Sequence, residues 1–246
     1  MTRVIGTNAI VGSSDVLQTN ESVPSHELGD KILTSDGREF IYVLNGGTAT
    51  VAGSIYQSPA ETTGAQSRIV SAAAVGAMEV TTTDTLTATV NQFAGGYVVV
   101  TGEAGTGIGE TYRIKSHPAA SAAVCTFTLE DPIRVALSAA SQVDIVAHPC
   151  AGVIINPITP SSGVVGVAVN AITAAQYGWL CVKGSTGVLN DSNGAITVGR
   201  RVVAGRTVAG ALRMEVSGTT EDMPYLGTAL TGIAASEVGL VNLNIV

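Results

Sequence analysis

Few residues in this chain are of types and at spacings that could do chemistry. The most suggestive run is Gly102-Glu-Ala-Gly105-Thr-Gly107-Ile-Gly109, whose glycines stand as in a phosphate-cradling loop. Such a loop needs a strand before it and, after it, a helix whose N-terminus faces the anion. Here Glu110-Thr-Tyr-Arg-Ile-Lys115 follows, alternating like a strand, and no Lys-Ser/Thr closes the glycine run. The run is expected to be a hairpin turn. The three histidines, His26, His117 and His148, show no metal-ligand spacing, and two precede proline. Triad members need not be neighbours in sequence, but there is no G-x-S-x-G elbow. Loop or surface histidines are expected. Asp131, Asp144, Asp191, Glu221 and Asp222 are scattered, and Asp191-Ser-Asn193-Gly194 lacks the ligand series of a calcium loop. It reads as a hairpin turn around Asn193-Gly194. Cys125, Cys150 and Cys181 are odd in number and widely spaced, so buried free thiols are expected. No catalytic, cofactor-binding or metal-ligating residue is assigned.

Composition points the same way. Charged residues are 13% of the chain against about 25% in an average soluble domain, and 46% is hydrophobic. Little charge is left to cover a large free surface, which suggests that other subunits cover part of it. The net charge of −7, with 12 Lys+Arg, disfavours nucleic-acid binding, which depends on basic side chains neutralising phosphates. Arg200, Arg201, Arg206 and Arg213 give a local basic patch that suits either an acidic partner or a solvated strand face. The most apolar stretch, residues 163–182, is interrupted by Asn170, Thr173 and Gln176 and does not read as a membrane span. The start of the chain has no sustained apolar targeting run.

The elements that must position these residues are strands. Val, Ile and Thr suit pleated sheets and the 29 glycines supply turns. The expectation is an all-β chain of two to three small β-barrel or sandwich units with an extended N-terminal arm. The arm spans residues 1–20. A hairpin unit and linker follow at 21–72, with turns at Asp36-Gly37 and Asn45-Gly46-Gly47, strands over Glu39–Leu44 and Thr48–Ile55, and a short helix within 60–71. A central β domain at 73–149 holds a short helical turn within 132–140, and 150–246 forms a C-terminal barrel. No fixed-period repeat crosses the chain.

Two segments carry a family resemblance. Leu28-Gly-Asp-Lys-Ile-Leu-Thr-Ser-Asp-Gly-Arg-Glu-Phe-Ile-Tyr-Val43 resembles the N-terminal segment of tailed-phage virion proteins. Tyr177-Gly-Trp-Leu-Cys-Val-Lys-Gly184, with Val188 to Gly199, Ala209-Gly-Ala, Leu226-Gly-Thr-Ala and Val241-Asn-Leu, is similar to the C-terminal barrel of capsid decoration (cement, or head-stabilisation) proteins. The stretch from Ala94 to Lys115 has the same look. The resemblance implies a non-enzymatic bacteriophage structural protein that is made in the host cytoplasm and sits on the outer capsid surface of the virion. Its partners would be the major capsid protein and other copies of itself, a trimer in preference to a dimer, with no nucleic acid, membrane or cofactor. The other expectation is a tail, spike or fibre-associated virion protein that contacts the host.

Overall fold

The computed structural model describes residues 10–12, 16–18, 20–102, 104–216 and 223–245. They are all-β, with 43% of the chain in strands. The chain first lays down β1 (Ile10–Gly12), a 3-10 turn (Val16–Gln18), β2 (Lys31–Thr34), β3 (Glu39–Asn45) and β4 (Ile55–Gln57). Eight short strands follow: β5 (Arg68–Ile69), β6 (Glu79–Thr81), β7 (Leu86–Ala88), β8 (Tyr97–Val100), β9 (Thr111–Ser116), β10 (Ala120–Ala123), β11 (Thr126–Leu129) and β12 (Gln142–Val146). The remainder is β13 (Ala151–Ile155), β14 (Val164–Ala168), β15 (Tyr177–Leu189), β16 (Arg201–Ala204), β17 (Leu212–Met214), β18 (Tyr225–Ala229) and β19 (Val238–Asn244).

These strands form two compact units rather than three in series. One combines Met1–Pro59 with Pro149–Val246, and the other is Ala60–His148. The expected separation of an N-terminal hairpin unit from a C-terminal barrel is therefore corrected. The reason is pairing: β3 lies antiparallel to β15, with Tyr42 opposite Trp179 and Phe40 opposite Cys181. Left apart, each segment would expose an unpaired edge. The second unit is inserted between β4 and β13, which pair antiparallel with Gln57 opposite Ile154.

In the discontinuous unit, β3, β13, β4, β14 and β15 pair in order, and the β3–β15 ladder closes them into a five-stranded barrel. Its interior holds Val43, Tyr56, Val153, Ala168, Ile172 and Leu180. Outside that ring, β19, β18, β16 and β17 extend the sheet, over a second core containing Phe40, Tyr42, Trp179, Val202, Leu226 and Leu243. Alternation along the strand sends Tyr42 to one core and Val43 to the other, as it does Trp179 and Leu180. Burial on both faces explains the unbroken apolar runs Phe-Ile-Tyr-Val and Trp-Leu-Cys-Val. Gly178 lies beside the packed Ile172, where a Cβ would stand 2.9 Å from its side chain.

The inserted unit is a six-stranded sheet in the order β5-β12-β8-β9-β11-β6. Its edge strands meet at a bridge between Val70 and Thr82, where the Thr83 N–H donates to the Ile69 carbonyl. Phe93, Tyr112, Ile114, Phe127, Leu129 and Ile145 fill its core.

Several local expectations change. The 60–71 segment is not a helix: a turn closes from Ala65 N–H to the Thr62 carbonyl, and β5 then pairs with β12. Thr62-Thr63-Gly64 favours that turn, and the neighbouring strands supply partners that an isolated helical turn lacks. Residues 132–140 hold no helix either: bends and a turn flank Leu137, which bridges to Ala73. Thr48–Ile55 is mostly loop, and β4 begins at its end. Most of the predicted arm lies outside the described residues; its described part includes β1, which pairs parallel with β2.

One turn recurs. In Val51–Ser54, Ala74–Ala77, Thr173–Gln176, Thr197–Arg200, Val208–Ala211 and Ala234–Glu237, the fourth N–H donates to the first carbonyl. The third residue (Gly53, Gly76, Ala175, Gly199, Gly210 or Ser236) has positive φ. This is the type II signature. In these six the second residue is Ala or Val, which accounts for exposed Val75 and Val198; Glu27–Asp30, Thr62–Ala65 and Gly107–Glu110 form the same turn with Leu28, Thr63 and Ile108 there. A Cβ at Gly199 would meet nothing within 4 Å, so only backbone strain opposes it. Gly199→Ala should lower unfolding free energy by about 1 kcal/mol in urea titrations, while Ser236→Gly, which relieves strain, should not lower it. Because each unit has its own core, replacing residues 60–148 by a short Gly-Ser linker should leave the discontinuous unit folded, read by the blue-shifted emission of buried Trp179 and a cooperative melt.

Candidate functional site

The structure spreads the chemistry-bearing residues over many places. The Gly102–Gly109 run joins β8 to β9, which pair antiparallel with Tyr97 opposite Arg113, so it is the expected hairpin connection. Asp191 to Gly194 does turn the chain after β15, but it is not a hairpin, because the next strand, β16, pairs with β17 and β18. The fully buried Asp191 carboxylate accepts backbone N–H groups of Asn193 at 2.6 Å, Arg206 at 3.2 Å and Thr207 at 3.3 Å, pinning two loops together. Asp144 accepts from the Ser67 N–H at 2.7 Å, and Asp131 is exposed. Glu221 and Asp222 lie outside the described residues. Among the described residues no group of three His, Cys, Asp or Glu side chains could hold a metal ion. None of their helices is long and apolar enough to cross a membrane.

Cys125, Cys150 and Cys181 are buried and none is in a disulfide. His117 departs from the expected surface position: it is buried beside Cys125, with Nδ1 3.8 Å from the sulfur. Its Nε2 accepts the Phe93 N–H at 3.0 Å, and Nδ1 stands 2.8 Å from the Pro118 carbonyl, which assigns the proton to Nδ1. Burial pushes the imidazole pKa down and the Cys125 thiol pKa up. Both shifts favour neutral forms and oppose a thiolate–imidazolium pair. The pair packs with Phe93 and Phe127 as part of the core. His148 is partly buried, and desolvation, then the nearby Arg113, lower its pKa.

The arginines make different local contacts. Arg201 pairs with Glu215 at 3.2 Å and lies over the Tyr225 ring, while Arg206 uses its backbone to hold Asp191. Arg213 sits on β17 opposite Val203.

Two features of the discontinuous unit stand out instead. The first is a clasp over the β3–β15 seam. Glu21 and Tyr177 exchange backbone hydrogen bonds, the Glu21 carboxylate accepts from the Tyr42 and Ser25 hydroxyls, and the His26 ring meets Tyr42 and Trp179 edge-on at 5.3 and 5.1 Å. His26 is thus half-buried in an aromatic cluster.

The second is a recess of about 480 Å³ lined by Leu17, Arg38, Gly53, Val169, Ser185 to Gly187, Val238 and Leu240. Its floor is an edge of β15. Asn190 N–H donates to the Glu237 carbonyl, and Ile245 N–H to that of Val182. The register therefore turns Gly184, Thr186 and Val188 toward β19. Ser185 and Gly187 point the other way. On that side β3 pairs as far as Lys183, opposite Glu39, and the Leu189 N–H donates to the Gly53 carbonyl. Between them the main-chain groups of Ser185 and Gly187 face the recess, and among the described residues no strand pairs with them. Sequence inspection gave no sign of this gap, since it depends on where β3 starts.

Comparison with protein-family models, with curated proteins and with solved structures finds no match to this chain. The fold and site define an all-β protein of two barrel-like units.

The clasp makes stability depend on pH at both ends of the range. Burial alone would raise the Glu21 pKa, but the hydrogen bonds from Tyr42 and Ser25 outweigh it and hold the carboxyl below its ordinary 4.5. Its stabilisation is present above that value and is lost as pH falls through the depressed folded pKa. Desolvation, then the bond to Glu21, raise Tyr42 from 10.0 to about 12. Its contribution is complete below pH 10 and is lost on rising toward 12. Denaturation midpoints measured against pH should fall at both ends, with Glu21→Gln flattening the acid limb and Tyr42→Phe the alkaline limb. Equal slopes in wild type and variants would assign those limbs to other groups.

Proposed function

We propose that this chain is a virion structural protein that decorates the outside of a phage capsid and stabilises it by binding the major capsid protein, as a homo-oligomer and without catalysis. The observation that carries the reading is the pairing of the two segments that resemble such proteins. Far apart in sequence, they meet as β2–β3 and β15, with Tyr42 opposite Trp179. The shared sequence pattern thus coincides with one structural element.

Surface character supports the same reading. The β18–β19 part of the sheet exposes Val238, Leu240, Leu230 and Tyr225 on neighbouring strands and turns, apolar area of the kind that interfaces cover. A standard interface buries about 1,600 Å² in total, and an oligomer engaging several coat subunits at once gains avidity without stronger single contacts. Spread over a lattice, such contacts resist the outward pressure of packaged DNA.

Quantitative mass spectrometry of purified virions, measuring this chain against the most abundant coat protein, tests the proposal. A simple integer or fractional ratio is the expected result. A ratio of a few per cent would move the chain to a tail, spike or fibre, and its absence from particles would overturn a virion role.

A further inference from the structure

We propose that Asn193 is a site of spontaneous covalent modification, its side-chain amide being converted to aspartate and isoaspartate by attack of the Gly194 nitrogen, while the chain's other Asn-Gly pair, Asn45-Gly46, is held intact by the fold. This chemistry is independent of the decorating role. It makes three demands on the chain. The asparagine Cγ must reach the nitrogen of the next residue, that N–H must be free to lose its proton, and no Cβ can crowd the approach.

The loop after β15 meets these demands. Asn193 and Gly194 are both exposed. Among the described residues no group accepts the Gly194 N–H or pairs with the Asn193 side-chain amide. Gly194 has φ +120° and open space where a Cβ would stand, so the nitrogen is uncrowded. The pair is tethered only at its outer ends, where the Asn193 N–H donates to Asp191 at 2.6 Å and the Gly194 carbonyl accepts from Asn190 at 2.8 Å. Asn45-Gly46 is the opposite case. Asn45 is 1% exposed, its Nδ2 donates to the carbonyls of Thr48, Ile172 and Thr173, and the Gly46 N–H donates to the Val153 carbonyl at 2.9 Å. Ring closure there must wait for these bonds to open, and the cost of local opening lowers its rate.

In the first step the Gly194 nitrogen loses its proton and bonds to Asn193 Cγ. The Cγ–Nδ2 bond breaks, and the nitrogen leaves as ammonia with that proton restored to it. Water then opens the five-membered imide. Attack at Cγ gives aspartate, and attack at the main-chain carbonyl gives isoaspartate, in which the chain runs through the former side chain. Both products add a negative charge two residues from Asp191, whose buried carboxylate already holds the N–H groups of Asn193, Arg206 and Thr207. Isoaspartate also lengthens the main chain by a methylene where Asp191 pins it.

Full-length protein would be held in mildly alkaline buffer at physiological temperature, native and, in parallel, unfolded in urea. Peptide mass spectrometry that separates isoaspartate from aspartate would follow both pairs. In the native protein Asn193 is expected to convert about tenfold or more faster than Asn45, and in urea the two rates should converge. Equal rates in the native protein, or an Asn193 that reacts in urea and stays intact when folded, would overturn the proposal. The converted form separates by anion exchange through its added charge and should melt about 2–4 °C lower than the unconverted form. An unchanged melt would overturn the part given to Asp191. Asn193→Gln, whose longer side chain closes a ring far more slowly, should yield no such species after the same incubation. Its appearance there at the wild-type rate would assign the conversion to another residue and overturn the site.

Discussion

The antiparallel ladder between β3 and β15 is the constraint on which the discontinuous unit depends. It closes the five-stranded barrel, and the same two strands form a wall of the second core. Tyr42 and Trp179 lie on one side of that wall, Val43 and Leu180 on the other. A one-residue slip would exchange these sets and drive the Tyr42 and Trp179 rings into a barrel whose interior is filled by smaller aliphatic side chains and Tyr56. The register is therefore held by packing on both faces as well as by hydrogen bonds. The clasp around Glu21 lies over this seam and ties the chain before β2 to both strands.

Buried polar groups stabilise the ends of these strands. Asn45, the last residue of β3, donates through Nδ2 to the carbonyls of Thr48, Ile172 and Thr173. Asn190, after β15, donates to those of Gly194, Ile233 and Ala234. Asp191 gathers three backbone N–H groups from two loops. In each case a short polar side chain satisfies main-chain groups where a strand stops and no ladder partner follows. The recess beside β15 is the exception, since there the floor of the gap keeps main-chain groups directed at solvent. That contrast gives the recess a different character from the strand ends, which are closed.

The inserted unit shows a separate solution. Its sheet brings its own edge strands together at Val70 and Thr82, so it needs no strand from outside. Its Cys–His pair is neutral and packed, in keeping with a core that uses polar atoms for fit. Insertion between β4 and β13 leaves their pairing intact, and each unit retains a contiguous core.

Composition and short-range pattern determined the all-β class, the Asp36-Gly37 hairpin, the β8–β9 hairpin and the burial of the three thiols, because these follow from local backbone preference and hydrophobicity. The recurring type II turn was also present in the sequence, as Ala or Val followed by Gly, Ala or Ser. It was hard to see because Ala175 and Ser236 stand where glycine is usual and only the backbone reveals their positive φ. Tertiary structure alone decided that the first and last parts of the chain form one unit. Strand pairing across a long stretch of sequence is set by complementary faces and matching edges, and no local signal encodes which edge meets which. The open rungs at Ser185 and Gly187 have the same origin: β3 begins only at Glu39, Gly53 captures Leu189, and the space between them exists only once both are in place.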